Sequence, residues 1–441
     1  MKFPYVVGRW VRGPQHYGRQ RLINYLLNVP NTAVWLVGTR RMGKTSLLRQ
    51  IEMEAELDQG ELVPLFWDLQ GCDTPEALSD ELSFAIEDVM HRFEPYGVTA
   101  EDIDPRDAVI TLRRITRRLA QHERRLLLLI DEGEALIRTA EINSTWLARL
   151  RKVFQDERQR TILASTKLLT RLNELTADWI TSPFLFGFNM ANLWSLDEEA
   201  AYDLIRQSQE ETQVDVPQPL CEQILHASNR HPYLIQYLCQ RLFTSEEGGV
   251  GALRPIEASD LIPDHLLVGF LQIDFQHLSL PERRILLAVA QASVLSDDEL
   301  YGLLPDIEPA RVNTLLYGMH KLGYLRAIDN YWAVGNEFLR YWLQQNLDEL
   351  RTWRTSEVAS AKMEEVLTRG ATMERASLLQ EIGQLQSNLI ELERRQHLLN
   401  GFAPPELSQK IDFARRALST AQQEVAALDD FHNKTTPSSS S

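Results

Sequence analysis

The stretch Thr32–Arg49, TAVWLVGTRRMGKTSLLR, constrains this chain more than any other. An apolar run, Ala33–Val37, ends in Gly38. Thr39-Arg40-Arg41-Met42-Gly43-Lys44-Thr45 follows, and then Ser46-Leu47-Leu48-Arg49, mostly good helix formers. The spacing G-x-x-x-x-G-K-[ST] falls between a predicted strand and a predicted helix, the setting in which such a loop encloses phosphate. The two glycines let the backbone turn so that successive N–H groups face inward. The helix that follows turns its free N–H groups and positive dipole end toward the same oxygens. Gly38, Thr39, Arg40, Arg41, Met42, Gly43, Lys44, Thr45 and Ser46 are therefore candidate phosphate-binding positions. Lys44 is expected to reach the β- and γ-phosphates, and the Thr45 hydroxyl to ligate Mg²⁺. The bland alternative is a βα turn that happens to carry Lys-Thr. The strand before it and the helix after it favour the phosphate loop.

The rest of the first half alternates strand and helix. Arg21–Leu27 reads as a short amphipathic helix. The helix after the loop runs to about Glu56. Leu62–Asp68 is a second buried strand, which Pro64 pushes toward a sheet edge. Thr74–Arg92 is helical, with Leu78, Leu82, Phe84, Ile86 and Met90 as its apolar face, and Pro105–His122 is helical too. Arg125–Glu132, RLLLLIDE, is apolar on both faces, as a central parallel strand must be. Thr145–Phe154 is helical. Thr161–Thr166 is a fourth strand, and a fifth is expected around Leu185–Met190. This alternation implies parallel βαβ units and a doubly wound α/β domain. Asp131-Glu132, at the end of the third strand, completes a nucleotide signature. Asp131 is expected to hold Mg²⁺, and Glu132 to act as the catalytic general base beside Lys44. Ser165, or Lys167 in its place, is a candidate to face the terminal phosphate. A plain β-branched strand end is an equal alternative for Ser165.

Composition removes several classes. A formal net charge of −16 argues against a general nucleic-acid coat or an anionic membrane as partner. Cys72, Cys221 and Cys239 are too few and too scattered for a disulfide framework, and fit a reducing cytoplasm. Met1–Arg21 lacks the apolar core of a signal peptide. The longest apolar run, Ile285–Ala290, is far too short to span a bilayer.

Beyond Leu196 the pattern becomes helical. Ser195 is the expected cap of a helix over Leu196–Gln207, and Leu220–Ala227 and Tyr233–Leu242 follow. Gly248–Pro255 reads as a linker. Leu280–Leu343 has the rhythm of a winged helix: helices Pro281–Gln291, Ser296–Leu304 and Glu308–Leu322, then a hairpin turning at Asp329-Asn330. Arg311, Lys321 and Arg326 are few basic residues for clamping DNA, so packing onto protein is the favoured use of this unit. Toward the end, Leu378, Ile382, Leu385, Leu389, Leu392 and Leu399 alternate by three and four. Leu407, Ile411, Ala414, Leu418, Ala421, Val425 and Leu428 repeat the pattern, with Asn400–Pro405 as helix stop and start. A coiled-coil helical hairpin is expected, followed by a disordered tail. The domain reading is thus an α/β P-loop NTPase domain over 1–194, a helical lid over 195–250, a winged helix over 251–350, a helical hairpin over 351–432 and a tail over 433–441.

On these motifs the chain resembles STAND-type signalling ATPases, prokaryotic AAA-like relatives of the AAA+ and NLR-type switches. His16-Tyr17-Gly18-Arg19, followed by Leu22, Ile23, Leu26 and Leu27, is similar to the family's amino-terminal F-x-G-R motif. Asn229-Arg230-His231-Pro232-Tyr233-Leu234-Ile235-Gln236 is similar to its G-G-H-P-Y-L-L-Q segment. The resemblance implies that Tyr17, Gly18, Arg19 and Pro232 enclose the adenine and ribose of ATP or ADP. It also implies a slow ATPase that forms a homo-oligomer in the ATP state and engages a separate effector or sensor protein through its tail, as in bacterial conflict or antiviral defence systems. Two alternatives stand beside this one. The first is a DNA-acting AAA+ ATPase, and the second is a scaffold that binds nucleotide without hydrolysis. No membrane partner is expected.

Overall fold

The computed structural model describes residues 4–352, apart from 59, 180–181, 211–212 and 245–250, together with most of 375–435. The chain forms two compact units. One comprises Met1–Ser296 and Met319–Ser360, the other Asp297–Gly318 and Ala361–Ser441.

The first unit opens with α1 (Gln20–Asn28), β1 (Ala33–Val37), α2 (Lys44–Asp58), β2 (Leu62–Asp68), α3 (Pro75–Asp88), α4 (Ala108–Ala120) and β3 (Arg125–Asp131). It continues with α5 (Ala135–Ile142), α6 (Ser144–Phe154), β4 (Gln159–Ser165), α7 (Arg171–Leu175) and β5 (Asn189–Asn192). The five strands form one sheet in the order β2-β3-β4-β1-β5, and every neighbouring pair is parallel. This is the α/β sheet that the alternation implies. Pro64 sits in β2 at the sheet edge, opposite Leu127, where its missing N–H costs no ladder bond on the open side.

Helices cover both faces. On one side Leu127 and Leu129 of β3 join Ile23 and Leu26 of α1, Leu47, Leu48 and Ile51 of α2, and Ile162 of β4 in a single core cluster. Leu126, Leu128 and Ile130, which alternate with them, are buried as well. Trp67 meets Phe154 of α6 edge-on at 6.4 Å. The uninterrupted apolar run of β3 is the direct consequence of burial on both faces.

Four expectations are corrected. Phe84 of α3 is 62% exposed, while Leu78, Leu82 and Ile86 are fully buried. Those three leucine and isoleucine positions fall every fourth residue, and Phe84 lies two off that stripe. The fifth strand starts at Asn189, later than Leu185. Residues 183–187 turn instead, with Gly187 at φ 94°, because Arg151 of α6 donates to the carbonyls of Ser182, Phe184 and Phe186. Asp197, and not Ser195, caps the next helix by accepting from Ala200 N at 2.8 Å. Helix α5 is additional, inserted directly after Asp131-Glu132.

The unit goes on through α8 (Glu198–Arg206), α9 (Gln218–Ser228), α10 (Pro232–Leu242), the strand pair β6 (Phe243–Thr244) and β7 (Ala252–Leu253), α11 (His265–Gln276), α12 (Leu280–Ala292) and β8 (Val294–Ser296). Residues 248–250 of the expected linker lie outside the described residues. Helix α11 was not legible as an element in the sequence. In chain order α13 (Asp297–Leu303) and most of α14 (Pro309–Lys321) come next and belong to the second unit, and β9 (Leu325–Ile328), β10 (Tyr331–Val334) and α15 (Glu337–Thr352) belong to the first. The order β8-β10-β9 makes a small antiparallel sheet, with Asp329 left-handed at the hairpin turn. Trp342 of α15 packs edge-on against Phe275 of α11 at 5.7 Å.

In the second unit, the described parts of residues 375–396 are helical, and α16 (Pro405–Thr435) follows. Leu378 is buried with Ala421, Val425 and Leu428, and Ile382, Leu385 and Tyr317 pack against them. Arg375 pairs with Asp429, and Arg415 with Glu393 at 2.8 Å. These pairings run in opposite senses along the two segments. Leu399, the Asn400–Pro404 part of the helix stop and the 436–441 part of the tail lie outside the described residues. No helix described is long and apolar enough to cross a membrane.

The α3 correction gives a test. Leu82→Ala should lower stability by about 2–4 kcal/mol through lost burial and a cavity. Phe84→Ser should change it by no more than about 0.5 kcal/mol. Urea denaturation midpoints of the two variants check this; equal losses would put Phe84 back in the core.

Candidate phosphate-binding site

Parallel pairing assembles the site. Val37 lies opposite Ser165 in the β1–β4 ladder, and Gly38 N donates to Ser165 O at 3.2 Å. On the other side of β4, Ile130 lies opposite Leu163, and Gly133 N donates to Ala164 O at 3.0 Å. The carboxyl ends of β1, β4 and β3 therefore stand in a row. The loop Gly38–Gly43 leaves β1 and starts α2 at Lys44. Gly43 has φ 96°, a conformation that L side chains rarely adopt. The first turn of α2 then sets the Thr45 hydroxyl against the end of β3, where it donates to Asp131 Oδ2 at 2.5 Å. Two residues read as Mg²⁺ ligands, 86 positions apart, are thus in contact.

The remaining groups close around them. Lys44 is buried, and its ammonium donates to Gly38 O and Thr39 O, both at 3.2 Å. Asp131 Oδ1 accepts from Glu132 N at 3.0 Å. Burial raises the Asp131 carboxyl above the ordinary range, against the opposing hydrogen bonds from Thr45 and Glu132 N and the charge of Lys44. Glu132 is left-handed at φ 52°. Its carboxyl is raised by burial and by the neighbouring Glu134 and Asp131, the direction that suits a group meant to take a proton near neutral pH. Ser46 accepts from Val11 N at 3.1 Å. Arg40 Nε and Glu134 Oε2 are buried without a hydrogen-bond partner among the described residues. A buried donor and a buried acceptor left open at the loop fit a polar, charged ligand with its counter-ion.

The motif that begins at His16 meets α8 and the start of α10. Tyr17 is buried. Gly18 is left-handed at φ 67°, and a Cβ there would stand 2.6 Å from Ala200 Cβ of α8. Arg19 donates to Ser195 O at 3.3 Å, and burial lowers its guanidinium to about 10 against the charge of Asp197. Pro232 opens α10 directly after His231. Burial, and then the charge of Arg19, lowers the His231 ring to about 4, so it is neutral. Asn229 and Arg230 are both left-handed, at φ 49° and 56°. They hold the backbone shape for which Gly-Gly is the easier sequence. Tyr17–Arg19 and the start of α10 therefore sit close together.

One predicted residue is placed differently. The Ser165 hydroxyl is fully buried, accepts from Trp35 Nε1 at 2.7 Å and donates to Thr166 O at 3.0 Å. It is committed within the sheet. Lys167, the alternative, lies just past the end of β4 and pairs with Glu282 of α12 at 2.6 Å. Glu134 and Asp274 escaped the sequence reading, and so did the aromatic contacts of Arg41. Glu134 accepts from Thr166 N and ties the β3 end to the β4 end. Arg41, itself left-handed, stacks on Phe270 of α11 at 4.4 Å and on Tyr233 at 5.5 Å. Asp274 of α11 lines a cavity of about 50 Å³ together with Thr39, Arg40, Arg41, His231 and Tyr324. The acid-rich DEGE run was the only available signal for Glu134. Nothing in the sequence pointed to Asp274, because α11 itself was missed.

No protein-family model and no curated protein matches the chain. Solved structures do. A Walker-type ATPase of Pyrococcus abyssi is 18% identical, with a TM-score of 0.55 over 78% of this chain and 100% of its own. The Aeropyrum pernix ORC2 protein in its ADP form is 12% identical, with a TM-score of 0.40 over 78% of this chain and 95% of its own. Thermotoga maritima RuvB is 14% identical, with a TM-score of 0.31 over 77% and 96%. The first of these, together with the parallel sheet and the loop geometry, establishes that the chain has the fold of an α/β P-loop NTPase.

Asp274 gives this subsection its prediction. Burial pushes its carboxyl up to about 7, against the pull of Arg40, Lys44 and Lys167. Its folded value lies above the unfolded one near 3.9, so its stabilising contribution is present at low pH and lost as pH rises from about 4 to about 7. Asp274→Asn should therefore melt at a higher temperature than the wild type at pH 8, and the gain should shrink as pH falls toward 4. Thermal melts across that range check it; a gain independent of pH would mean that Asp274 stays ionised.

Proposed function

We propose that this chain binds ATP or ADP with Mg²⁺ and hydrolyses ATP slowly, acting as a nucleotide-operated switch of the STAND type. The contact between Thr45 and Asp131 is the observation that carries this reading. It brings together a hydroxyl and a carboxylate of the kind that ligate Mg²⁺ beside a phosphate loop. Lys44 and the N–H groups of Gly38–Ser46 would hold the phosphates. Glu132 would polarise the attacking water. Tyr17, Gly18, Arg19 and Pro232 would take the adenine and ribose side. The bound nucleotide would decide whether lid and core stay closed, because a γ-phosphate adds contacts that ADP lacks.

The second unit supports the partner side of the proposal. The opposed ion pairs Arg375–Asp429 and Arg415–Glu393 and the buried seam from Leu378 to Leu428 are what a helical hairpin needs. Such a hairpin offers a surface for oligomerisation in the ATP state or for a separate effector or sensor protein. A role in bacterial conflict or defence rests on family resemblance alone. The three cysteines are free and buried, which fits a reducing cytoplasm.

The winged-helix order of α12, α13, α14 and the β8-β10-β9 sheet favours a second reading, a DNA-acting ATPase. Lys321 and Arg326 are already engaged within the fold. Lys321 lies over the Trp194 ring at 4.9 Å, and Arg326 binds His226 O and Glu337. Steep loss of duplex binding with added salt would support the DNA reading.

Lys44→Ala should abolish binding of ATP in calorimetry; unchanged affinity would refute the phosphate-loop reading. Glu132→Gln should bind ATP but turn it over at least about 10²-fold more slowly. Equal turnover would remove Glu132 from the general-base role and favour a scaffold without hydrolysis. Deletion of Glu374–Ser441 should change the oligomeric state seen by light scattering while leaving nucleotide binding intact.

A further inference from the structure

Two buried charges at the crest of the sheet have no part in the scheme above. Lys167 lies two residues past the end of β4, and Glu282 lies in the first turn of α12. Their ammonium and carboxylate meet at 2.6 Å, with side chains 11% and 5% exposed. The same Glu282 Oε2 accepts from Ser279 N at 2.7 Å and from Ser279 Oγ at 2.8 Å, so the capping box of α12 aims the carboxylate. Burial would raise this carboxyl, but Lys167 and the Ser279 hydrogen bonds hold it below its ordinary value, and it is ionised. A second contact ties the same region to the loop: Arg41 of the phosphate loop stacks on Phe270 of α11.

The position of Lys167 makes this more than a structural ion pair. β4 lies between β1 and β3, so Lys167 leaves the sheet between the phosphate loop and Asp131-Glu132. Lys167 acts on Asp274 together with Arg40 and Lys44, and on His277 together with Arg40 and Glu134. Its charge therefore belongs to the cationic cluster of the phosphate site. A buried ammonium in that place suits a phosphate oxyanion as well as it suits a carboxylate.

We propose that Glu282 is an internal stand-in for the γ-phosphate: it occupies Lys167 when no γ-phosphate is present, and a nucleoside triphosphate must displace it. Two anions facing one ammonium in a water-poor site repel strongly. Triphosphate binding therefore expels Glu282 and releases α12, while a diphosphate leaves the Lys167–Glu282 pair intact. This inference rests on the ATP reading above and adds to it the residues that tell ATP from ADP.

The test measures affinities of the full chain for ADP and for the β,γ-imido analogue of ATP, and takes their ratio. Glu282→Gln keeps the capping box, because Gln serves at that position as well as Glu, and removes only the charge. It should shift the ratio toward the triphosphate about tenfold, an equilibrium change of about 1.4 kcal/mol. Lys167→Met should shift it about tenfold the other way. It leaves Glu282 buried without its partner and is open to misfolding, so Lys167→Met/Glu282→Gln, which buries no net charge, serves as its control. The double variant should also lose preference for the triphosphate. A ratio within about twofold of wild type in Glu282→Gln, with ADP still bound, would overturn the stand-in and leave the ATP reading standing. Wild-type protein that binds neither nucleotide would overturn both.

Discussion

The candidate site depends first on the hydrogen-bonded ladder that sets β1, β4 and β3 side by side in parallel. Parallel pairing puts the carboxyl ends of all three strands on one edge, and loops that leave that edge must share it. The phosphate loop leaves β1 there. Asp131 and Glu132 leave β3 there, and Lys167 leaves β4 there. Antiparallel pairing of the same strands would have sent one of these groups to the far edge. The contact between Thr45 and Asp131 is thus a consequence of topology before it is a detail of side-chain chemistry.

The second constraint is electrostatic. The crest gathers Asp131, Glu132, Glu134, Asp274 and Glu282 around Arg40, Lys44 and Lys167, mostly out of water. Burial raises the carboxyls of Asp131, Glu132 and Asp274, while direct pairing with Lys167 keeps Glu282 low. Charges this close in a low dielectric respond to one another, so a polyphosphate arriving among them would have to redistribute the existing partners. That behaviour is what the proposed nucleotide switch requires of its site.

Helices α8 and α10 are joined to α2, the helix that follows the loop, by contacts within the chain. Gly18 lets the amino-terminal segment approach α8 closely. Tyr5 donates to Ile205 O at 2.6 Å, and Val6 N to Gln236 at 3.1 Å. Gly13 N donates to Gln50 of α2 at 2.7 Å. One short segment therefore bridges α2 of the sheet domain and helices α8 and α10.

The sequence by itself determined the local grammar: the phosphate loop, the Asp-Glu strand end, the parallel α/β class and most helices. It could do so because each is written within a few neighbouring residues, in apolar spacing, glycine placement or a strand–loop–helix order. It also carried the stripe Leu78, Leu82, Ile86, although Phe84 was wrongly included, since apolar character does not report which side of a helix a residue occupies when the stripe is crowded. Only the tertiary structure decided what the hydroxyl of Ser165 does, because Trp35 is 130 positions away from it in the chain. Only the tertiary structure revealed α11. Its apolar residues lie on nearly every side of the helix, so no single period shows, although only Leu267, Leu271 and Phe275 are buried. Lys167 meets Glu282 across 115 positions. A buried pair of that kind leaves no pattern in either stretch, because its energy comes from the burial and geometry that folding alone supplies.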